Sequence, residues 1–345
     1  MIIEIILFYE AVIKNQDIFP MDILSENSYG PHLCSRFISY VAGIPLLYYP
    51  LLIIGAVWLL IQTATILNGI GVCLFRKRLN LVRRYGEGTW VVITGASDGI
   101  GKGFCEEFAR LGFNIVLIAR NQAKLSNVES ELKKINTKIQ TKVVVADFKD
   151  SAKPQFFDKI HEQLQGLDIS ILINNVGTVF QEFFEEFDED NLKEMTIVNT
   201  LPMVILSKKL IPPMLNRSKR SAIINVSSFA GSAPIPYYSV YSASKAYMDY
   251  LSQGLSYEVK RKVDIMSLMP LHVETRMSGG KGSDTITVEQ CVDGCLRDLG
   301  RTNFTYGHWI HKLQAYITSC LPDRLREAMI MKINPERLKK LAKLR

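Results

Sequence analysis

A tyrosine and a lysine stand four residues apart in the stretch YSASK (241–245), with only small residues between them. If this stretch is helical, Tyr241 and Lys245 share one face, one turn apart. A free tyrosine has a pKa of about 10, and a neighbouring ammonium group favours its ionised form and lowers that pKa. Such a pair is suited to proton transfer near neutral pH. Because the chain has 14 tyrosines, about one such pair is expected by chance, so the surrounding elements must decide.

Glycines follow a short apolar strand at the start of an alternating pattern. The strand WVVIT (90–94) precedes GASDGIG (95–101), and a helical pattern and a second strand, NIVLIAR (114–120), come next. In such a βαβ unit, glycines allow a tight turn and let backbone N–H groups approach a pyrophosphate at the helix N-terminus. We therefore predict a dinucleotide site whose loop contacts are Gly95, Ser97, Asp98, Gly99, Ile100 and Gly101.

The residue after the second strand discriminates between the two nicotinamide cofactors. An acidic side chain there binds the ribose 2′-hydroxyl of NAD, whereas this chain has Arg120, whose guanidinium suits the 2′-phosphate of NADP(H). We therefore predict NADPH/NADP+ as the cofactor. The alternative is that Arg120 is an ordinary solvated residue at a strand end. Asp147, at the end of a third strand over 142–148, is assigned to the same cofactor site.

Apolar runs and helical patterns continue to alternate along the chain. They predict, in order, a helix over 156–164, a strand over 169–177, a helix over 192–215, a strand over 221–231, a helix from YSASK to residue 261, and a strand with a loop over 263–277. Near-continuous apolar strands alternating with helices are typical of an α/β fold, a Rossmann-type doubly wound parallel sheet. Ligands bind such sheets beyond the carboxyl ends of the strands, where Asn174 and Ser228 lie.

A long charge-free segment precedes the α/β pattern. Residues 37–75 contain no Asp, Glu, Lys, Arg or His, and the run over 51–75 alone exceeds the roughly 20 residues that span a bilayer. The segment is long enough for one span or for a tight helical hairpin. Five basic residues crowd the following stretch RKRLNLVRR, so the positive-inside rule places the later residues in the cytoplasm. Residues 1–36 form an N-terminal extension without a recognisable motif.

The overall charge is +7, and basic residues cluster after the apolar segment and in the last ten residues. That distribution favours an anionic membrane surface as a partner, and no recognisable module for binding nucleic acid is present. The six cysteines are scattered, without a CxxC or a Cys/His set of zinc spacing. We therefore expect reduced thiols and no metal site.

These stretches, in this order and spacing, resemble the short-chain dehydrogenases/reductases. The resemblance covers residues 86–280 and rests on TGASDGIG, NNVG, an asparagine in the following helix, NVSS and YSASK. It implies a hydride transfer in which Tyr241 donates the proton and Ser228 polarises the substrate carbonyl. It also implies that Lys245 lowers the tyrosine pKa and binds the nicotinamide ribose.

The same resemblance assigns the supporting residues. The family's serine lies thirteen residues before the tyrosine, which selects Ser228 over Ser227. Asn199 is expected to support a water-mediated proton path from the lysine. The further cofactor contacts that the resemblance implies are Asn174, Val273 and Thr275. The usual Pro-Gly after the sixth strand is Pro270-Leu271 here, so the conformation of the loop is left open.

A narrower resemblance takes in the membrane segment, RRYG just before the fold, and a basic tail. These features look like a membrane-bound branch that contains the very-long-chain 3-oxoacyl-CoA reductases of fatty-acid elongation and the type 12 and type 3 17β-hydroxysteroid dehydrogenases. The branch implies NADPH-dependent reduction of a long-chain 3-oxoacyl-CoA, or else of a ketosteroid. It places the chain in the endoplasmic reticulum membrane with the catalytic domain facing the cytosol. The partners it implies are the lipid substrate, the membrane, elongation-complex proteins and a second copy of the chain.

An alternative from another class is a non-catalytic, NADPH-binding membrane scaffold, and the intact serine, tyrosine and lysine argue against it. The last region, 281–345, is expected to cover the substrate or to lie near the membrane. Its stretch over 307–333 is amphipathic to apolar, and packing on the domain is an equally open interpretation. The ending RLKKLAKLR is basic and suited to anionic lipid or CoA phosphates.

Overall fold

The computed structural model describes residues 45–279, 285–322 and 325. The predicted N-terminal extension, the start of the apolar segment up to residue 44, and the basic tail lie outside these residues. The chain divides into two units between Ile66 and Leu67. Each unit is therefore described by itself.

Helix α1 (Pro45–Phe75) is 31 residues long, or about 46 Å at 1.5 Å per residue. Its stretch Tyr49–Gly69 is long and apolar enough to cross a membrane, and an 18-residue window within it has no buried residue. By length and composition it is the one candidate span among the described residues. Over these residues the chain forms a single continuous helix, which includes Pro50, and no helical hairpin.

The second unit contains the predicted parallel sheet. Its strands are β1 (Trp90–Thr94), β2 (Asn114–Ala119), β3 (Thr141–Val145), β4 (Ile169–Asn174), β5 (Ser221–Val226), β6 (Val263–Leu268) and β7 (Phe304–Thr305). All neighbouring strands are parallel, in the order β3-β2-β1-β4-β5-β6-β7. The order reverses between β1 and β4, and at such a switch point the carboxyl edge of a doubly wound sheet binds ligands.

Helices cover both faces of the sheet. They are α2 (Leu81–Tyr85), α3 (Gly99–Arg110), α4 (Gln122–Ile135), α5 (Phe156–Leu164), α6 (Glu189–Asn216), α7 (Ser239–Val259), α8 (Val288–Asp298) and α9 (Trp309–Cys320). Successive strand residues point to opposite faces, so Ile93 packs with Phe104 of α3 in one core cluster. Val92 packs with Leu206 of α6 in the other. The doubly wound fold predicted from the alternating pattern is confirmed.

The sequence pattern did not settle two features of this unit. The two-residue strand β7 was not predicted, because an apolar pattern cannot be recognised over so short a run. Helix α9 turns His311 and Ala315 into the protein, where they are buried. Within the described residues, the start of the stretch 307–333 therefore packs on the domain. Its expected role in covering the substrate stays a prediction.

An ion cluster joins α2 to the amino-terminal edge of the sheet. The carboxylate of Asp264, on β6, accepts hydrogen bonds from Arg84 at 2.8 and 3.1 Å, from Arg220 at 2.7 Å and from the Tyr85 hydroxyl at 2.8 Å. Burial acts to raise the pKa of Asp264, but the hydrogen bonds from these three residues outweigh it and the pKa is lowered. Since Arg84 follows α1 closely in the chain, the cluster attaches this segment to the sheet.

We expect Asp264→Asn to destabilise the protein by about 3 kcal/mol, because it leaves two partly buried guanidinium groups without their counterion. A carboxyl with a lowered pKa stabilises the fold above its unfolded pKa of about 3.9, and this contribution is lost as the pH falls through the lower, folded value. The difference between variant and wild type should therefore shrink at acid pH. Urea unfolding of the full-length protein in detergent, followed by circular dichroism at several pH values, measures the free energy of unfolding of variant and wild type.

Asp158→Asn is the matched control, since Asp158 forms an equally short ion pair with Lys209, at 2.7 Å, but its side chain is 58% exposed. We expect this variant to lose less than about 1 kcal/mol. If both variants lose the same free energy of unfolding, the Asp264 cluster stabilises the protein no more than an exposed ion pair does.

Candidate active site

The glycine loop lies between β1 and α3, as predicted. Gly95 and Gly99 have φ angles of +64° and +54°, in the left-handed region that glycine adopts without strain. A Cβ on Gly101 would collide with the carbonyl oxygen of Gly95, so the chain approaches itself closely here. The carboxylate of Asp98 caps α3 by accepting the Gly99 N–H at 2.9 Å. The loop thereby presents its backbone N–H groups at a helix N-terminus, which favours an anionic group.

The side chain of Asn175 holds this loop in place. Its Nδ2 donates to the carbonyl oxygens of Thr94, at 2.9 Å, and Gly95, at 3.2 Å. Its backbone N–H donates to the Thr94 hydroxyl at 2.9 Å. Sequence reasoning selected Asn174 and missed this residue, although both belong to the motif NNVG.

Asn174 itself points into the packed layer between sheet and helix. It is 2% exposed, and its Nδ2 donates to Asn225 Oδ1 at 2.8 Å and to Ser207 Oγ at 3.3 Å. Its Oδ1 has no hydrogen-bond partner among the described residues. The side chain thus ties β4 to β5 and α6, and its assignment to the cofactor stays a prediction.

The other predicted cofactor residues surround the glycine loop at the carboxyl edge. Ser97 and Ile100 lie partly exposed within it, Arg120 is exposed directly after β2, and Asp147 follows β3 closely. Within the part of the chain that the structure describes, Arg120 has no hydrogen-bond or ion-pair partner. The free guanidinium is thus available to an anionic ligand.

The loop after β6 contacts the glycine loop from the other side. A Cβ on Gly99 would lie 3.3 Å from Cγ2 of Thr275, and Arg276 forms an ion pair with Asp98 at 3.4 Å. Val273 is buried and pairs with Ile286. The predicted cofactor residues in the loops after β1 and β6 therefore lie side by side.

Tyr241 and Ser228 meet beyond β5. The Ser228 side chain lies close enough to the Tyr241 hydroxyl to act on its pKa, and Ser228 Oγ accepts the Ala230 N–H at 3.2 Å, at the start of a short 3-10 helix (Phe229–Gly231). Ser227 is turned away, because its hydroxyl donates to the Lys245 carbonyl at 2.7 Å. The spacing argument that preferred Ser228 therefore agrees with the geometry.

Lys245 lies one turn beyond the tyrosine on α7 and is 4% exposed. Its Nζ donates to the Val226 carbonyl oxygen at 2.9 Å and lies 5.6 Å from the centre of the Tyr241 ring. A Cβ on Gly177 would lie 3.5 Å from this Nζ and 3.2 Å from Asn199 Oδ1. The predicted lysine and asparagine thus flank one small gap, which the glycine keeps open.

Asn199 is buried in α6, and both atoms of its side-chain amide are hydrogen-bonded. Its Oδ1 accepts the Thr178 N–H at 2.8 Å, and its Nδ2 donates to the Thr178 carbonyl and to Ser244 Oγ, both at 3.0 Å. These bonds tie the loop after β4 to α6 and α7. The asparagine is therefore held beside the lysine by its backbone partner.

Burial sets the protonation of the pair. It raises the pKa of Tyr241 to about 12, with Tyr238 acting in the same direction and the Ser228 hydrogen bond opposing it. It lowers the pKa of Lys245 to about 8. The direction for the tyrosine is opposite to the one that the Tyr-x-x-x-Lys spacing predicted. The physical reason is that the phenol is desolvated, which disfavours its anion.

The arrangement offers a protonated phenol, a hydroxyl beside it and a buried amine one turn away, next to a loop suited to a pyrophosphate. Such a set can orient a carbonyl oxygen and exchange a proton with it. Among the described residues, no group of three or more His, Cys, Asp or Glu side chains is placed to hold a metal ion.

Comparisons with known proteins agree with this geometry. The family model described as short chain dehydrogenase matches residues 89–285. A very-long-chain 3-oxoacyl-CoA reductase from Bos taurus is 39% identical over 245 residues, which cover 69% of this chain and 77% of that protein. A human protein named inactive hydroxysteroid dehydrogenase-like protein 1 is 34% identical over 262 residues, covering 72% of this chain and 76% of the relative.

A solved structure supports the fold and the cofactor class. A short-chain dehydrogenase from Sphingobium yanoikuyae in complex with NADPH superimposes with a TM-score of 0.56 at 28% identity, covering 61% of this chain and 83% of that one. Residues 89–285, which the family model matches, contain the glycine loop, Ser228 and the Tyr241–Lys245 pair. The chain therefore belongs to the short-chain dehydrogenase/reductase family and is an oxidoreductase that acts on C=O or CH–OH groups with a nicotinamide cofactor.

Proposed function

We propose that this chain is an NADPH-dependent reductase of a keto group on a lipid, a very-long-chain 3-oxoacyl-CoA. The observation that carries the proposal is the proximity of the Tyr241 and Ser228 side chains, with the buried ammonium group of Lys245 one turn away. These side chains lie at the carboxyl edge of the sheet, the edge that also carries the glycine loop.

In the proposed mechanism each residue acts at a stated atom. When bound, NADPH would supply a hydride to the carbonyl carbon. The Ser228 hydroxyl donates a hydrogen bond to the carbonyl oxygen, and Tyr241 gives its proton to the alkoxide that forms there. With a pKa of about 12, the phenol is fully protonated at neutral pH. Lys245 stabilises the tyrosinate left behind, and Asn199 supports return of a proton through water.

The preference for NADPH rests on the strand-end arginine. Arg120 is exposed after β2 at the position where the fold binds the adenosine ribose. A guanidinium pairs well with a 2′-phosphate, through charge-assisted hydrogen bonds. The NADPH complex of the Sphingobium yanoikuyae enzyme supports the same assignment.

An acyl-CoA substrate is supported by two features. An apolar helix beside basic residues suits a lipid tail that carries an anionic head, and the relative from Bos taurus is named a very-long-chain 3-oxoacyl-CoA reductase. The second candidate is a ketosteroid, favoured by the hydroxysteroid dehydrogenase in the name of the human relative. The word "inactive" in that name describes the relative; here the serine, tyrosine and lysine are all present.

We place the protein in the endoplasmic reticulum membrane. Helix α1 supplies the anchor, and the basic residues after it favour a cytosolic catalytic domain, residues 86–280, by the positive-inside rule. Association with elongation enzymes and a homodimer through α6 and α7 belong to the same proposal. Tyr250 and Tyr257 of α7 are exposed, as expected for a surface that a second copy covers.

Tyr241→Phe should lower the rate of reduction by about 10²- to 10⁴-fold, because the general acid is lost, while NADPH still binds. The assay uses microsomes with NADPH and a panel of 3-oxoacyl-CoA chain lengths and ketosteroids. We expect long-chain 3-oxoacyl-CoA to be reduced fastest by the wild type. Tyr247→Phe, which changes an exposed tyrosine on the same helix, is the matched control and should keep full activity.

Two outcomes would contradict this proposal. Faster reduction of ketosteroids than of any acyl-CoA would favour the second candidate. Equal rates for Tyr241→Phe and wild type, on every substrate, would show that Tyr241 is not the general acid; no reduction by the wild type would favour the non-catalytic scaffold.

Arg120→Ala should raise the KM for NADPH about 10- to 100-fold, the equivalent of one charge-assisted hydrogen bond, and leave the KM for NADH nearly unchanged. Steady-state kinetics with both cofactors measures the preference. Arg110→Ala removes an exposed arginine at the end of α3 and serves as the control. If the ratio of the KM values for NADPH and NADH is the same in Arg120→Ala as in the wild type, the assignment of the 2′-phosphate site is refuted.

The reduction should also lose rate at alkaline pH. Lys245 stabilises the tyrosinate only as a cation, and its pKa is lowered to about 8. We therefore expect kcat/KM to be level below pH 8 and to fall about tenfold per unit above it. Lys245→Arg keeps its charge at all these pH values, so its alkaline decline should move to higher pH. The same decline in both proteins would show that another group titrates.

A further inference from the structure

His311 is a buried imidazole outside the catalytic set. It lies on α9 and is fully buried. Its Nδ1 lies 3.3 Å from the Leu271 backbone nitrogen and 3.4 Å from the Tyr306 carbonyl oxygen. Its Nε2 lies 3.1 Å from the His272 carbonyl oxygen. One ring thus contacts the backbone of two successive residues in the loop after β6.

The partners determine which nitrogen carries the proton. The Leu271 N–H is a donor, so in the neutral ring Nδ1 accepts from it and Nε2–H donates to the His272 carbonyl; the Tyr306 carbonyl oxygen, 3.4 Å from Nδ1, is then a close neighbour and not a hydrogen-bond partner. Burial, together with the nearby imidazoles of His308 and His272, lowers the pKa of His311 to about 4 and outweighs the carbonyl oxygens of Tyr306 and His272, which favour the charged ring. The ring is therefore neutral at physiological pH, with both nitrogens engaged.

The loop that His311 holds connects the two halves of the site. Pro270, just before Leu271, accepts the backbone N–H of Phe229 at 3.0 Å, and Phe229 follows Ser228. In the other direction the loop continues to Thr275, beside the glycine loop. A shift of the peptide groups at 271 and 272 would move both ends.

The contact with His311 bears on the conformation of the loop at Leu271, the position where the family has glycine. Leu271 does not have a positive φ angle, so the backbone here does not require glycine. The loop takes its position from the ring on α9 instead.

We propose that His311 is a positioning residue for the reductase site. Its neutral ring fixes the backbone of Leu271 and His272, and thereby sets the loop against the nicotinamide half of the cofactor and against Ser228. The proposal rests on the site assignment made above.

The test replaces His311 in the full-length protein in detergent. His311→Phe keeps a planar ring without hydrogen bonds, and His311→Gln restores an amide donor and acceptor. We expect the Phe variant to raise the dissociation constant of NADPH about tenfold, the equivalent of one or two hydrogen bonds, and to lower kcat. The Gln variant should lie closer to the wild type in both. NADPH fluorescence measures binding without any keto substrate.

Thr318→Val is the matched control, because Thr318 is buried on the same helix and its hydroxyl bonds only within it, at 2.8 Å to the Gln314 carbonyl. This variant is expected to change the melting temperature but neither NADPH binding nor kcat. If His311→Phe behaves in the same way, or does not fold, the residue is merely structural and the proposal is overturned. A Gln variant no better than the Phe variant would also overturn it.

The test separates this proposal from the proposed function. A wild type that binds NADH in place of NADPH contradicts the cofactor assignment, and the same variants are then compared with NADH. A wild type that binds neither cofactor overturns both proposals.

Discussion

The buried ammonium group of Lys245 is the constraint on which the site depends. Removing a cation from water is costly unless it is hydrogen-bonded, and its Nζ donates to the Val226 carbonyl at the end of β5. That bond, with the one from Ser227 to the lysine carbonyl, holds α7 against the sheet. The approach leaves no room for a Cβ on Gly231, which would lie 2.7 Å from the Lys245 carbonyl carbon. The position of Tyr241 one turn earlier follows from this docking.

The same burial gives the two groups their protonation states. Desolvation favours the neutral form of each group. The pKa of the phenol is therefore raised to about 12, and the pKa of the amine is lowered to about 8. A tyrosinate formed here is costly unless the amine is protonated. In the proposed mechanism the lysine is therefore needed most at the moment when the tyrosine has given its proton away, as expected for a general acid in a reduction. Burial of one turn of α7 thus sets the protonation state of both side chains.

A parallel sheet separates the chemistry from the attachment of the membrane-side segment. The carboxyl edge carries the glycine loop, Ser228 and the loop that His311 holds, since every strand ends there. The amino edge carries Asp264 and its two arginines, one of them close to the end of α1 in the chain. Arg76 and Arg78, which follow α1 directly, also form ion pairs with Asp298 and Asp293 of α8 and with Glu107 of α3. The segment after α1 is therefore bonded to helices as well as to the amino edge of the sheet.

The sequence by itself determined the elements and the reacting side chains. The pattern predicted β1 and α5 to the residue, because strand and helix periods are local properties of the chain, and the resemblance to the family, through the spacing of thirteen residues from serine to tyrosine, selected Ser228. Only the tertiary structure decided that Asn175 holds the glycine loop, that β7 completes the sheet, that α9 brings His311 to a distant loop, and that the tyrosine pKa rises. These features depend on which remote segments cover a group, since desolvation and hydrogen-bond partners come from packing, which spacing along the chain does not encode.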